Sequence, residues 1–148
     1  MSDVHPKATR SYNMSKIKGK NTRPEILVRK YLYSKGFRYR VNVKSLPGTP
    51  DIVLRKLKTI IFINGCFWHG HTGCPYFKMP ETRTEWWSNK INKTKARDDA
   101  GYAQLRQMGW RVLVVWECQL KPKHRKETLY ALENTLFKIV LEQAAANK

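Results

Sequence analysis

Two apolar periods alternate along this chain and divide it into elements. Thr22-Arg-Pro-Glu25 is a capping-box pattern, in which Thr22 accepts from the Glu25 amide, Glu25 reaches back, and Pro24 is tolerated in the first turn. A helix opens there, with Leu27, Val28, Tyr31 and Leu32 as its apolar face and Gly36 as its left-handed exit. Residues 37–43 alternate as an edge strand. Leu46-Pro-Gly-Thr-Pro-Asp-Ile-Val-Leu54 turns through Pro47-Gly48 and enters a strand at Asp51; Arg55-Lys56 closes a hairpin into the β-branched run Thr59-Ile-Ile-Phe-Ile63. Thr82-Arg-Thr-Glu85 repeats the capping box and opens a helix through Trp86, Trp87 and Ile91, and a basic polar helix follows from 92 to 108 after an expected break. Trp110-Arg-Val-Leu-Val-Val-Trp116 reads as the central strand, and residues 124–143 form an amphipathic helix. Helix, three or four strands, helix, strand, helix makes a single-domain α/β protein with a mixed central sheet flanked by helices.

Composition adds the partner. The 148 residues carry 29 Lys+Arg against 11 Asp+Glu, a net charge of +18, while 41% hydrophobic content is that of a folded protein. Disorder therefore does not explain the charge, and a folded basic domain most often faces nucleic acid. Residues 1–20 are basic and poor in apolar positions, an arm ahead of a domain at 21–148; Met14 and Ile17 either tack the arm to the core or belong to a DNA-contacting helix. No run reaches the roughly 18 apolar residues of a membrane span, and Met1-Ser-Asp-Val-His-Pro6 lacks a signal-peptide core. A cytoplasmic, nucleoid-associated monomer is the expectation.

Chemistry concentrates after residue 63, in Asn64-Gly-Cys-Phe-Trp-His-Gly-His-Thr-Gly-Cys74. Three cysteines in a reducing compartment argue against a disulfide framework. Cys66, His71, Cys74 and Cys118 supply the four thiolate and imidazole ligands of a closed structural zinc; the bland alternative is that Cys66 and Cys118 are buried apolar thiols. Gly70 lets His69 and His71 diverge, so one imidazole can bind the metal while the other acts as a general base, and spacing leaves the assignment open. Asp51, at a strand entrance, either caps the preceding turn or is a carboxylate for Mg²⁺, to which a carbonyl at the end of the 59–63 strand would add a ligand. Glu25 is a helix cap or an acid near that metal. Phe67-Trp68 is a core pair or a wedge between base pairs, with the wedge favoured because the segment leaves little room for a core. Of Trp86 and Trp87, adjacent on a helix, one packs inward and the other is a surface aromatic.

Ala8-Thr-Arg-Ser-Tyr-Asn-Met14, Leu46-Pro-Gly-Thr-Pro-Asp51, Gly65-Cys-Phe-Trp-His-Gly-His71, Thr82-Arg-Thr-Glu85 and Trp110-Arg-Val-Leu-Val-Val-Trp-Glu-Cys118 resemble the very-short-patch mismatch repair endonucleases, the Vsr family. The resemblance implies a restriction-endonuclease-like fold, a structural zinc, and a Mg²⁺-dependent nick of one strand 5′ to the thymine of a T:G mismatch, initiating repair of deaminated 5-methylcytosine. It implies Asp51 and the Ile63 main chain as Mg²⁺ ligands, His69 as general base, Glu25 as a nearby acid, and zinc on Cys66, His71, Cys74 and Cys118. Phe67, Trp68 and Trp87 would intercalate from the major groove while the Met14 arm lies in the minor groove. Repair factors and a companion cytosine-5 methyltransferase are the implied partners beside T:G-mismatched double-stranded DNA.

Two positions depart from that pattern. Asn64 stands where the family has a histidine linked to catalysis, and an amide cannot transfer a proton at neutral pH, so a slower enzyme is expected. The loop before Cys74 is one residue longer, which is why Trp87 and not Trp86 matches the third wedge. The alternatives are a catalytically silent, zinc-stabilised binder of mismatched DNA and a restriction endonuclease of the same fold.

Overall fold

The computed structural model describes residues 21–146; the basic arm and Met14 lie outside the described residues. Helix α1 (Arg23–Ser34) leads to strands β1 (Arg40–Val41), β2 (Ile52–Leu54) and β3 (Thr59–Asn64), then helix α2 (Thr84–Gln107), strand β4 (Arg111–Trp116) and helix α3 (Arg125–Ala146). The sheet runs in the order β1-β2-β3-β4, with the first two pairings antiparallel and β3 parallel to β4. This is the mixed sheet expected from the element order, and α2 is the crossover that a parallel pair requires.

Strand period sorts the core. Ile61 and Ile63 of β3, with Ile52, Leu54 and Val115, meet Val28 and Leu32 of α1 and Leu129, Leu132, Leu136 and Ile139 of α3. The alternate residues Ile60 and Phe62, with Val53 and partly buried Val112 and Val114, meet Leu105 and Tyr102 of α2. All six residues of β3 are buried, because helices cover both faces. Each fully buried isoleucine contributes about 1.5–3 kcal/mol. Tyr31 of α1 also donates to Glu133 Oε1 of α3 at 2.5 Å.

Four local expectations change. Glu25 does reach back, but to the Asn21 N–H at 2.7 Å, and Thr22 makes no side-chain cap bond. The edge strand is only Arg40–Val41. The break near residue 92 is absent: α2 is one helix, entered through Arg83 at φ 55 and anchored by the Thr84 hydroxyl donating to the Pro80 carbonyl at 2.7 Å. A polar sequence did not interrupt it because Ile91, Asp98 and Leu105, seven apart, keep one inward stripe. Finally, β4 is an edge strand rather than a central one; its apolar run reflects the helices on both its faces, not strands on both its sides.

The parallel pair positions the site. Asn64 is in register with Trp116 at the carboxyl ends of β3 and β4, so Cys66 and Cys118, each two residues farther on, emerge side by side. Among the described residues no helix is long and apolar enough to cross a membrane.

Candidate active site and metal centre

Two polar centres form where the loop after β3 lies between the end of the sheet and α2. In the first, the ligand atoms of Cys66, His71, Cys74 and Cys118 all lie within 4.8 Å of one another, a set that could hold a metal ion. His71 Nδ1 is 3.5 Å from Cys118 Sγ, and the His71 ring stacks on Trp116 at 4.0 Å with 5° between planes. The backbone N–H of Cys118 donates to Cys66 Sγ at 3.3 Å and that of Tyr76 to Cys74 Sγ at 3.4 Å. Burial pushes the Cys66 thiol up to about 12 and raises Cys118 as well. Burial also pushes Cys74 upward, but the Tyr76 N–H and the neighbouring thiols hold it below its ordinary value. A bound cation would have to displace the protons of the two raised thiols, since the thiolate is the ligand.

The second centre contains His69. Gly70 sits at φ +59, and a Cβ there would fall 2.5 Å from Lys95 Cε and 2.6 Å from Ile91 Cγ2, so only glycine lets the loop press onto α2 at this point. The turn sends the two imidazoles apart: His71 toward the cysteines, and His69 Nδ1 to within 2.6 Å of Asp98 Oδ2. With Nδ1–H donated to the carboxylate, Nε2 is the ring atom left to accept a proton. His69, Asp98, Asn64, Lys95, Asp99 and Tyr102 line a cleft of about 280 Å³. Asn64 Nδ2 donates to the Tyr102 hydroxyl at 2.9 Å.

Asp51 lies at the same end of the sheet. Its Oδ2 accepts from the Ile63 N–H at 2.7 Å, and burial raises its carboxyl to about 6 against that hydrogen bond, with Glu25 adding to the rise and Arg29 and His69 opposing it. In an extended strand the N–H and C=O of one residue face the same neighbour, so the Ile63 carbonyl is turned toward the Asp51 side. Glu25 is 3% exposed and spends Oε2 on the Asn21 N–H and on Arg29 at 3.1 Å. It thus serves as a cap while remaining an electrostatic neighbour of Asp51.

The aromatic residues make a third group. Phe67 meets Trp68 at 5.2 Å and Trp87 at 5.3 Å, and Trp87 meets Trp86 at 4.8 Å. Trp68 and Trp86 are exposed, while Phe67 and Trp87 are half-buried. The guanidinium of Arg83 lies over Trp86 at 4.8 Å. The rings therefore form a surface cluster of their own instead of joining either core.

Sequence reasoning missed Asp98 and Tyr102. The signal was the stripe itself: Ile91, Lys95, Asp98, Tyr102 and Leu105 recur at helical spacing, and a carboxylate in such a stripe requires a partner.

Comparison with known proteins decides the family. The family model for the DNA mismatch endonuclease Vsr matches residues 2–76. The E. coli K12 DNA mismatch endonuclease Vsr is 46% identical over 125 residues, which span 84% of this chain and 80% of that protein. The chain belongs to the Vsr family. Two further relatives are type II nicking enzymes: V.NmeAIP of Neisseria meningitidis serogroup A, 49% identical over 83% of this chain and 87% of its own length, and V.XorIIP of Xanthomonas oryzae pv. oryzae, 48% identical over 81% and 88%. As a Vsr-family DNA endonuclease the chain takes DNA as its substrate, in keeping with its net charge of +18.

Proposed function

We propose that this protein nicks one DNA strand 5′ to the thymine of a T:G mismatch in a Mg²⁺-dependent reaction, initiating very-short-patch repair, on a restriction-endonuclease-like fold tied by one structural zinc. The observation that carries the reading is the divergence of His71 and His69 about Gly70, one toward three cysteines and the other toward Asp98. One short loop thereby separates a closed metal set from a proton-transfer pair.

The three sulfurs and one nitrogen fit zinc. Tetrahedral bonds of about 2.3 Å place sulfur ligands roughly 3.8 Å apart, and the four donor atoms lie within 4.8 Å before any ion draws them together. A closed set has no open coordination position, so its role is to fix the loop. Asp51 and the main-chain carbonyl of Ile63 would hold Mg²⁺, which when bound supplies charge stabilisation at the scissile phosphate. Asp51 fits that duty, because among the described residues its Oδ1 is left over after Oδ2 accepts from Ile63. His69 Nε2 takes the proton of the attacking water, while Asp98 holds Nδ1–H and offsets the charge that develops on the ring. Glu25 keeps the start of α1 beside Asp51 through its bonds to Asn21 and Arg29.

Phe67, Trp68 and Trp87 are the wedge that enters the base stack, with the arm containing Met14 on the opposite groove. The exposed Trp68 and the ring cluster behind it support this, since an aromatic stack already desolvated on one side loses little on entering another. The names of the nicking relatives support single-strand cleavage.

The test is a nicking assay on duplexes with and without one T:G pair, in Mg²⁺ and in chelator. Cleavage only of the mismatched duplex, only with Mg²⁺, is the expected result; equal cleavage of the paired duplex would point to a restriction endonuclease. A silent mismatch-binding protein is the second reading, favoured by the absence of an acid-base side chain at Asn64, whose amide is already engaged by Tyr102. Tight mismatch binding without any nick would establish it.

A further inference from the structure

Asn64 ends β3, is 3% exposed, and by strand period shares the face of Ile60 and Phe62 that α2 covers. Its amide donates to the hydroxyl of Tyr102, three α2 turns beyond the entry of Ile91 into the core stripe. A phenol carries one proton and can both accept and donate. With the oxygen accepting from Asn64, the Tyr102 proton has no acceptor among the described residues, and the hydroxyl lines the same cleft as His69 and Asp98. The ring is braced by Phe62 at 4.9 Å, so the donor direction is fixed by packing on one side and by the amide on the other.

The charges around the hydroxyl show what it is suited to meet. Burial raises the Tyr102 phenol above its ordinary value against the Asn64 hydrogen bond, with Asp98, Asp99 and Asp51 adding to the rise. A phosphodiester approaching His69 enters a cleft whose only cation among the lining residues is Lys95. Carboxylates repel it, and a neutral donor that needs no ionisation offsets part of that repulsion. The demand for a donor is greatest in the transition state, when charge builds on the nonbridging oxygens.

We propose that the Tyr102 hydroxyl, aimed by Asn64, is a catalytic hydrogen-bond donor to a nonbridging oxygen of the scissile phosphate, and that Asn64 is its positioning residue. The proposal rests on the nuclease reading above. It gives the amide at position 64 a task an amide can perform, orienting a phenol, in place of the proton transfer it cannot.

The experiment compares single-turnover nicking of T:G duplexes by the parent protein, Tyr102→Phe and Asn64→Ala, with DNA affinity and thermal midpoint measured alongside. Tyr102→Phe keeps the ring against Phe62 and is expected to nick about 10²-fold more slowly with DNA affinity unchanged, the usual loss for one aimed donor. Asn64→Ala leaves the donor but frees it, for a smaller loss than that of Tyr102→Phe. A structural role could mimic these rates, so the deciding readout uses duplexes with sulfur in place of one or the other nonbridging oxygen at the scissile phosphate. One diastereomer is expected to slow the parent markedly more than it slows Tyr102→Phe, because the variant has already lost that contact. Asn64→Ala carries the same comparison should the phenylalanine variant prove less stable. Identical sulfur penalties in parent and variants, or a parent-like rate for Tyr102→Phe, overturn the proposal while leaving the nuclease reading standing. A parent that nicks no duplex in Mg²⁺ overturns both.

Discussion

His69 Nδ1 and Asp98 Oδ2 are 2.6 Å apart, although 29 positions separate them in the chain. The carboxylate comes from α2, so the orientation of a loop histidine is set by a rigid element. Asp98→Asn preserves shape but presents a ring that can carry its proton on either nitrogen. Nicking is expected to fall about 10²-fold with mismatch affinity unchanged. The check is single-turnover kinetics against a binding titration, together with a pH–rate profile, whose alkaline plateau the variant should not recover. Parent-like kinetics would show that the pair is structural only.

The cysteine set gives a prediction that does not depend on catalysis. One tightly bound zinc per chain is expected by metal analysis, and Cys118→Ser should lower metal content and melt the protein several degrees earlier. The reason is topological: Cys118 follows β4 and Cys66 follows β3, so the ion ties the ends of the parallel pair. Binding competes with protons for Cys66 and Cys118, both raised by burial, so zinc should be released on acidification and retained at higher pH. Protein purified with zinc in the medium yet free of metal would sink the assignment.

Asp51 gives a prediction for the pH dependence of both stability and activity. Its carboxyl is raised from 3.8 to about 6 chiefly by burial, so the folded chain holds this proton more tightly than the unfolded chain does. Stability from this group is therefore lost as pH rises from about 4 through 6, and the full penalty is present at pH 7. Asp51→Asn should abolish nicking yet stabilise the fold at pH 7 by on the order of 1–3 kcal/mol, with the gain vanishing below pH 4. Parent activity should fall as pH drops through about 6, with the midpoint moving lower as Mg²⁺ is raised, because proton and cation compete for one carboxylate. Chemical denaturation and nicking rates across pH 4–8 test both arms.

How much of this was legible in the sequence follows from whether a residue's partner is local. The strands at 52–54 and 59–63 and the hairpin between them were readable because their periods are written into adjacent residues. The four metal-binding candidates were readable from residue type alone, yet the choice between His69 and His71 was not, since it depends on the turn at Gly70 and on which groups α2 presents. Asp98 and Tyr102 looked like solvated positions on a polar helix, and the same polarity prompted the expected break near residue 92. Their place beside the loop is visible only once Ile91 and Leu105 fix which stripe of α2 faces inward. Strand β4 was misplaced for a related reason: an apolar run reports covered faces and is silent about edges.

The aromatic cluster supplies the last prediction. Trp68 is 39% exposed and rests on Trp87 at 6.0 Å and Phe67 at 5.2 Å. If these rings enter the base stack, Trp68→Ala should weaken binding to a T:G duplex by roughly 1–3 kcal/mol, the worth of one aromatic-base stack. Binding to a fully paired duplex should change much less, because a paired duplex resists unstacking and contributes mainly phosphate contacts. Trp86→Ala is the control: its exposed ring lies under Arg83 and Lys90 and is the neighbour of the matched position, so its loss should reduce both affinities alike through the disturbed cations. Paired titrations at two salt concentrations separate the cases, since a stacking loss is insensitive to salt while a phosphate loss lowers the salt slope. Equal losses on both duplexes for Trp68→Ala would assign the cluster to packing of the loop instead of to the mismatch.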